Sequence, residues 1–342
     1  MKKLHQVPLI ALAILAAVIS TACCVESETP ADTEAYGFPI SSGAYIGQTP
    51  PGPEPEIFAP GVVSTGLSEL NSVFTPDGKE FYYAVDIGLD WVIMMTAEID
   101  GVWSEPEVVS FTRGHSGVDL CITNDGQRLF YCSNRSRNGG TEPENNFDIW
   151  YVDRMEGGGW SDPVNLAAVN SDTSEFYPSV TDEGTLYFLS RREGGVGGSD
   201  VYRSRLMNGQ YQAPENLGPI VNSPGNEGDA FISPDESYLI FNSRGRQGAP
   251  GDGSLFISYQ NAEGSWSPPQ NLGTVMKADR SDFCPMLSPD GKYFFFSSAR
   301  PRLENADGVV TWASLYDAQS RPENGNTDVY WVDAGFIDKL RP

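Results

Sequence analysis

The chain has 342 residues, with 46 Asp and Glu against 22 Lys and Arg, a formal charge of −24 and two histidines. That acidic excess excludes the phosphate-neutralising surface that nucleic acid or an anionic membrane face requires, and leaves cationic, neutral-glycan and protein partners open. Beyond Cys23 and Cys24 only Cys121, Cys132 and Cys284 remain, and three cysteines make no disulfide framework.

Lys2 and Lys3 precede an apolar run from Val7 to Ile19, followed by Ser20-Thr21-Ala22-Cys23. A short basic start, an apolar stretch too short to span a bilayer comfortably and small residues before a cut point predict a signal peptide over residues 1–22. Two processing outcomes stay open. A Cys directly after the cut favours lipoprotein cleavage with Cys23 lipidated, whereas Ser20-x-Ala22 also suits ordinary signal peptidase. Cleavage removes two Lys and no acid, taking the charge from −24 to −26. No later segment is long and apolar enough to span a membrane, so membrane contact is expected only through a lipid anchor at Cys23, in the periplasm or at the outer membrane of a bacterium. Residues 23–52 are rich in Pro, Glu, Thr, Ser and Gly and read as a flexible tether ending at Pro50-Pro51-Gly52-Pro53. Residues 53–342 read as a single, monomeric domain.

That domain is periodic. One turn recurs five times: Thr75-Pro76-Asp77-Gly78, Thr123-Asn124-Asp125-Gly126, Thr181-Asp182-Glu183-Gly184, Ser233-Pro234-Asp235-Glu236 and Ser288-Pro289-Asp290-Gly291. Pro fixes φ, Asp bonds back to the backbone and Gly accepts positive φ, so each predicts a hairpin turn. An aromatic and β-branched strand follows each, from Phe81-Tyr82-Tyr83 to Phe294-Phe295-Phe296. A third strand comes next, as at Asp148-Ile149-Trp150-Tyr151 and Asp328-Val329-Tyr330-Trp331. Then a Gly-x-aromatic turn opens the fourth, at Gly101-x-Trp103, Gly158-x-Trp160, Gly209-x-Tyr211 and Gly264-x-Trp266. Four strands per repeat predict an all-β, five-bladed propeller of antiparallel blades. The turn, the aromatic strand and the Trp-Ser-x-Pro…Asn-Leu-Gly strand resemble the WD40-like repeats of TolB-type propellers over roughly residues 53–333. Copy 4 departs from the pattern at Glu236, where Gly is expected, and copy 2 at Asn124. Copy 5 ends after its third strand, while Pro55-Glu56-Ile57-Phe58-Ala59 aligns with the fourth-strand segment Pro214–Gly218, so the N-terminal strand is expected to complete the last blade.

Eight residues before each turn stands the column Glu69, Gly117, Glu175, Glu227 and Asp282, at the start of the innermost strand and hence around one mouth of the central channel. The antiparallel second strands end with Arg135, Arg192, Arg244 and Arg300 near the same mouth. A carboxylate and an arginine repeated from blade to blade predict structural ion pairs that hold loops. Catalysis and binding call instead for groups outside the repeat: His115 and Asp119 in copy 2, Tyr177 in copy 3 and Asp229 in copy 4. The long loop of copy 5, Ala299–Thr327, adds Trp312 and Tyr316, as a binding loop would, together with Arg302 and Arg321.

His115 is the sole histidine after residue 22, so neither a histidine-based triad with more than one candidate nor a multi-histidine metal site is available. No Gly-x-Ser-x-Gly elbow, zinc-site cysteine pattern or phosphate-cradling glycine loop occurs. No cofactor is expected. Ca²⁺ is a chemical option for Asp229 with Glu227, or Asp252 near Asp307, without a supporting motif. Cys121 and Cys132 lie on the first two strands of one hairpin, where cross-strand bonds are strained, so a disulfide there is expected to be labile or absent. Because a fold does not fix a function, two readings stand. The resemblance to TolB-type propellers, which serve as protein-interaction platforms, implies a non-enzymatic binding or scaffold module for a protein or glycan at the channel mouth. The alternative is a carbohydrate-active enzyme, a glycoside hydrolase or lyase using mouth carboxylates. Unpaired carboxylates in the pocket favour the enzyme, and Arg-paired ones the scaffold.

Overall fold

The computed structural model describes residues 39, 41–247, 249, 253–277, 281–300 and 311–342. The expected signal peptide with Cys23, and Asp252, Arg302 and Asp307, lie outside the described residues.

Five antiparallel blade sheets form, four of four strands and one of five, and in all but the last the strands run from inner to outer along the chain. The inner strands are Glu69–Phe74, Gly117–Ile122, Glu175–Val180, Asn226–Ile232 and Asp282–Leu287, and these define blades 1 to 5. Blade 5 takes its outer strand from Glu56–Ile57, which pairs antiparallel with Asp328–Asp333 in the register Glu56 to Trp331. Sequence-distant ends thus close the ring, with Glu56–Ile57 pairing along the outer side of Asp328–Asp333.

The turns explain why the chain folds this way locally. Thr75 donates from Oγ1 to Asp77 at 2.6 Å and accepts from the Glu80 amide, and Thr123 with Asp125 and Ser288 with Asp290 repeat the first bond at 2.6 and 2.7 Å. Where glycine is missing in copy 4, Glu236 itself takes the left-handed conformation at φ +59°. Its carboxylate reaches blade 3, accepting from the Tyr187 hydroxyl and from Arg203 Nη1. An inter-blade contact therefore accompanies the backbone strain of a non-glycine residue in that region.

Between blades, second-strand aromatics pack into shared apolar clusters and meet the next blade's rings edge-on, as Phe130 meets Tyr211 and Tyr187 meets Trp266. Phe130, Ile149, Leu186, Phe188 and Tyr202 join one buried cluster across blades 2 and 3, and Tyr187, Leu239, Phe241 and Phe256 another across blades 3 and 4. At the closing seam Phe58, fully buried, touches Phe74, Phe81, Phe295 and Trp331 with ring centroids 5.0–6.1 Å apart.

Residues 41–52, whose composition predicts the end of the tether, pack on the propeller instead. Ile46 is buried, Tyr45 stacks edge-on against Phe74 and Tyr293, and Trp103 donates from Nε1 to the Gly43 carbonyl at 2.8 Å. Two apolar anchors outweigh a polar, Pro-rich composition that by itself has little to bury. A short helix, Phe336–Leu340, sets Phe336 against Phe294 after the last strand. Among the described residues no helix is long and apolar enough to cross a membrane.

Candidate functional site

Every inner strand carries a bulge, and the bulged residue has left-handed φ: Asn71 (+47°), Asp119 (+56°), Tyr177 (+51°), Asp229 (+43°) and Cys284 (+51°). Such a bulge re-aims a side chain out of the alternation of the strand, and here it links one blade to another. Asn71 Oδ1 accepts from the Leu120 amide at 2.6 Å, Asp119 Oδ2 from the Tyr177 amide at 3.2 Å, and Asp229 Oδ2 from the Cys284 amide at 3.2 Å. Tyr177, at 1% exposure, crosses from blade 3 to donate its hydroxyl to the Pro285 carbonyl of blade 5 at 2.8 Å. The channel is consequently filled at this level.

Burial pushes the Asp119 carboxyl well above the usual range, and the neighbouring Asp229 charge adds to this. Asp229 is also raised by burial, against the pull of the Cys284 amide and Arg244. Asp119 is sealed in, whereas Asp229 is half-buried and lines a recess of about 410 Å³ at the mouth, with Arg191, Asn226, Arg244 and Phe283.

The repeated acids sit just outside this ring. Glu175 pairs with Arg192 at 3.1 Å and Asp282 with Arg300 at 3.3 Å. Each arginine also donates to the loop entering its blade, at the Val169 and Met276 carbonyls. In blade 4 the partner of Glu227 is Arg246 at 3.2 Å, not Arg244. The second strand runs on through Arg244, and the left-handed Gly245 (φ +80°) turns the chain so that the second arginine swings back. Blades 1 and 2 divide the pair between them. Arg135 holds the Phe111 carbonyl at 2.9 Å but faces Gly117, where a Cβ would meet Thr112 Cγ2 at 2.6 Å. Glu69 has no arginine partner among the described residues and accepts from Thr65 instead. Burial pushes its carboxyl up to about 7, with the charge of Asp328 contributing. Asp328 is itself pushed up to about 7 by burial, and its buried Oδ1 has no hydrogen-bond partner among the described residues.

The remaining candidates are dispersed. His115 lines a separate groove with Arg135 and Trp150. Trp312 and Tyr316 lie on a helix, Trp312–Gln319, capped by Thr311, and are 81% and 63% exposed without lining the mouth recess. Its C-terminal end abuts Gly66, where a Cβ would come within 2.6 Å of the Gln319 carbonyl. Arg321 of the same loop pairs with Asp317 at 2.5 Å. Glu227, the proposed Ca²⁺ partner of Asp229, is committed to Arg246, Ser223 and Ser243. Among the described residues no three His, Cys, Asp or Glu side chains converge to hold a metal ion. Arg191, Asn226 and Phe283 are the mouth residues that repeat counting passes over, although the doubled Arg191-Arg192 is a legible sign of a surplus arginine.

No protein-family model and no curated protein matches the sequence. Solved structures similar to it include a protein assigned as TolB from Agrobacterium tumefaciens (18% identity, 72% of this chain and 73% of that one, TM-score 0.46). TolB from Acinetobacter baumannii is similar at 16% identity, over 78% of this chain and 57% of that one, with a TM-score of 0.45. An endo-arabinase from Bacteroides thetaiotaomicron is similar at 14% identity, over 72% of this chain and 94% of that one, with a TM-score of 0.45. Five antiparallel blades, each with the repeated turn between its first two strands and the last completed by a strand from the N-terminal side, make this chain a five-bladed β-propeller.

Proposed function

We propose that the chain is an exported, non-enzymatic binding module that takes a protein or glycan ligand at the channel mouth, held in the periplasm or at the outer membrane through Cys23. The observation that carries this reading is the plug. Tyr177 and the other bulge side chains fill the channel at the level of Asp229, so the mouth is a recess about 410 Å³ in volume that offers side chains to a ligand from one side only. Three of the repeated acids are committed to arginines, which favours a structural role for that column. The test is a pull-down from native envelopes together with a glycan panel, using the wild type and Phe283→Ala. Binding lost in the variant supports the mouth as the face, and binding that is indifferent to it overturns the reading.

One observation favours the enzyme as a second reading. Asp229 is an open mouth carboxyl raised by burial, next to a second raised carboxyl at Asp119. A general acid needs such a shift. New reducing ends released from a glycan panel by the wild type, and not by Asp229→Asn, would establish it.

A further inference from the structure

We infer that the channel mouth binds the carboxylate of an acidic sugar, held between Arg191 and Arg244. The inference rests on the mouth being the ligand face and adds the class of ligand.

In a chain with 46 acids and 22 basic residues, guanidiniums find partners readily. Among the described residues, only the Arg113, Arg191 and Arg244 side chains make neither an ion pair nor a hydrogen bond, and the last two line one recess. The clamp on the inner-strand acid needs one arginine per blade, and Arg192 and Arg246 supply it. Blades 3 and 4 therefore each carry one arginine beyond structural need, at the ends of adjacent second strands, with the start of the Asn226–Ile232 strand between them. Glu227, the buried acid nearby, is already neutralised by Arg246. Asp229 is the one other carboxylate of the recess, and an oxygen of it is bonded to the Cys284 amide. Two guanidiniums without an ion pair or hydrogen bond among the described residues thus line one recess, Arg244 acting on Asp229 only through its charge.

A guanidinium presents a planar fork that matches a carboxylate with two parallel hydrogen bonds. The rest of the recess suits a sugar ring. Phe283 offers an aromatic surface, and the Asn226 amide, without a partner among the described residues, and the Asp229 carboxylate can meet hydroxyls. A peptide carboxylate would use the arginines and leave those groups unmatched. A protein this acidic repels anions at long range, so short-range complementarity has to provide the selection.

Calorimetry on the full chain tests this with a galacturonate trisaccharide, its methyl ester and triglycine as the probes. The expected result is binding of the uronate, at least tenfold weaker binding of the ester and of triglycine, and at least tenfold loss in R191A/R244A with an unchanged melting temperature. R191K/R244K keeps the charge and removes the fork, and should also lose at least fivefold, which excludes a folding defect as the cause. No uronate binding, equal affinity for the ester, preference for triglycine, or full affinity in R191A/R244A each overturns the inference. Ester or triglycine binding that disappears in Phe283→Ala overturns the carboxylate-sugar assignment while leaving the binding face intact. Ligand binding unaffected by Phe283→Ala removes the face as well.

Discussion

Arg246 donates from Nη2 to Glu227 Oε1 at 3.2 Å and from the same atom to the Val221 carbonyl, so one guanidinium holds both the start of an inner strand and the loop that feeds it. Arg244, two residues earlier, is exposed and makes neither bond. Arg246→Ala leaves a fully buried carboxylate without its counter-charge and is expected to destabilise the fold by about 1–3 kcal/mol. Arg244→Ala is expected to stay within about 0.5 kcal/mol of the wild type, as surface substitutions generally do. Urea denaturation of the two variants checks the contrast, and equal losses would contradict it.

The blade count, the turn chemistry and the closing strand were legible because each is written in residue types with one strong backbone preference: Pro and Gly at the turns, β-branched and aromatic residues in the strands. The bulge ring was not. It stands six residues before each turn, but Asn71, Asp119, Tyr177, Asp229 and Cys284 share no chemistry, only a left-handed backbone. Asn and Asp often adopt that conformation and Tyr and Cys seldom do, so the column does not present itself as one. The exchange of Arg244 for Arg246 escaped for a related reason. Counting along a strand holds only while the strand lasts, and Gly245 ends it.

Tyr177 makes the only hydroxyl bond to the Pro285 carbonyl among the described residues. Tyr177→Phe keeps the ring that fills the channel and removes that donor, so the carbonyl loses a partner in a buried site. The expected cost is about 1–2 kcal/mol. Tyr177→Ala also empties the channel and should cost about 3–5 kcal/mol. Chemical denaturation distinguishes the two, and a Phe variant as unstable as the Ala variant would show that the hydroxyl, not the packing, holds the blades.

Glu69 and Asp328 meet at the seam between blades 1 and 5, both pushed up to about 7 by burial. A carboxyl with a folded-state value above its unfolded one binds more protons when folded, so its stabilising contribution is complete near pH 4 and is lost as pH rises through about 7. Asp119 and Asp229 act in the same direction. The melting temperature should therefore fall between pH 5 and pH 8. Glu69→Gln removes one titrating group and should flatten that decline, gaining on the order of 1–2 kcal/mol at pH 8 relative to the wild type. An unchanged slope in the variant would mean that Glu69 is ionised in the fold at neutral pH.

Cys121, Cys132 and Cys284 are free and buried. The bulge sets Cys132 opposite Val118 and Cys121 opposite Phe130, so the two cysteines of the hairpin do not face each other. Burial pushes the Cys121 thiol up to about 12 and the other two well above their usual value, leaving little thiolate to react. Alkylation of native protein at pH 8, read by peptide mapping, should leave all three unmodified, and denaturation should expose all three. A disulfide-linked peptide containing Cys121 and Cys132 in an unreduced digest would refute this.

The closing strand is only two residues long, Glu56–Ile57, so its two backbone pairings cannot by themselves hold the ring shut. The residue that follows carries the seam. Phe58 is fully buried among Phe74 and Phe81 of blade 1 and Phe295 and Trp331 of blade 5, and its amide donates to the Val329 carbonyl at 2.8 Å. Phe58→Ala keeps the backbone bonds but deletes the ring that contacts both blades, and a cavity between four aromatics has little freedom to collapse. The expected loss is about 3–5 kcal/mol. Ile57→Ala, at the half-buried position just before it, should cost well under half of that. If hydrogen bonding rather than the aromatic contact closed the ring, both alanine variants would be mild, and the amides of residues 56–58 would retain their exchange protection in Phe58→Ala. Hydrogen exchange across that segment, measured alongside denaturation, separates the two mechanisms.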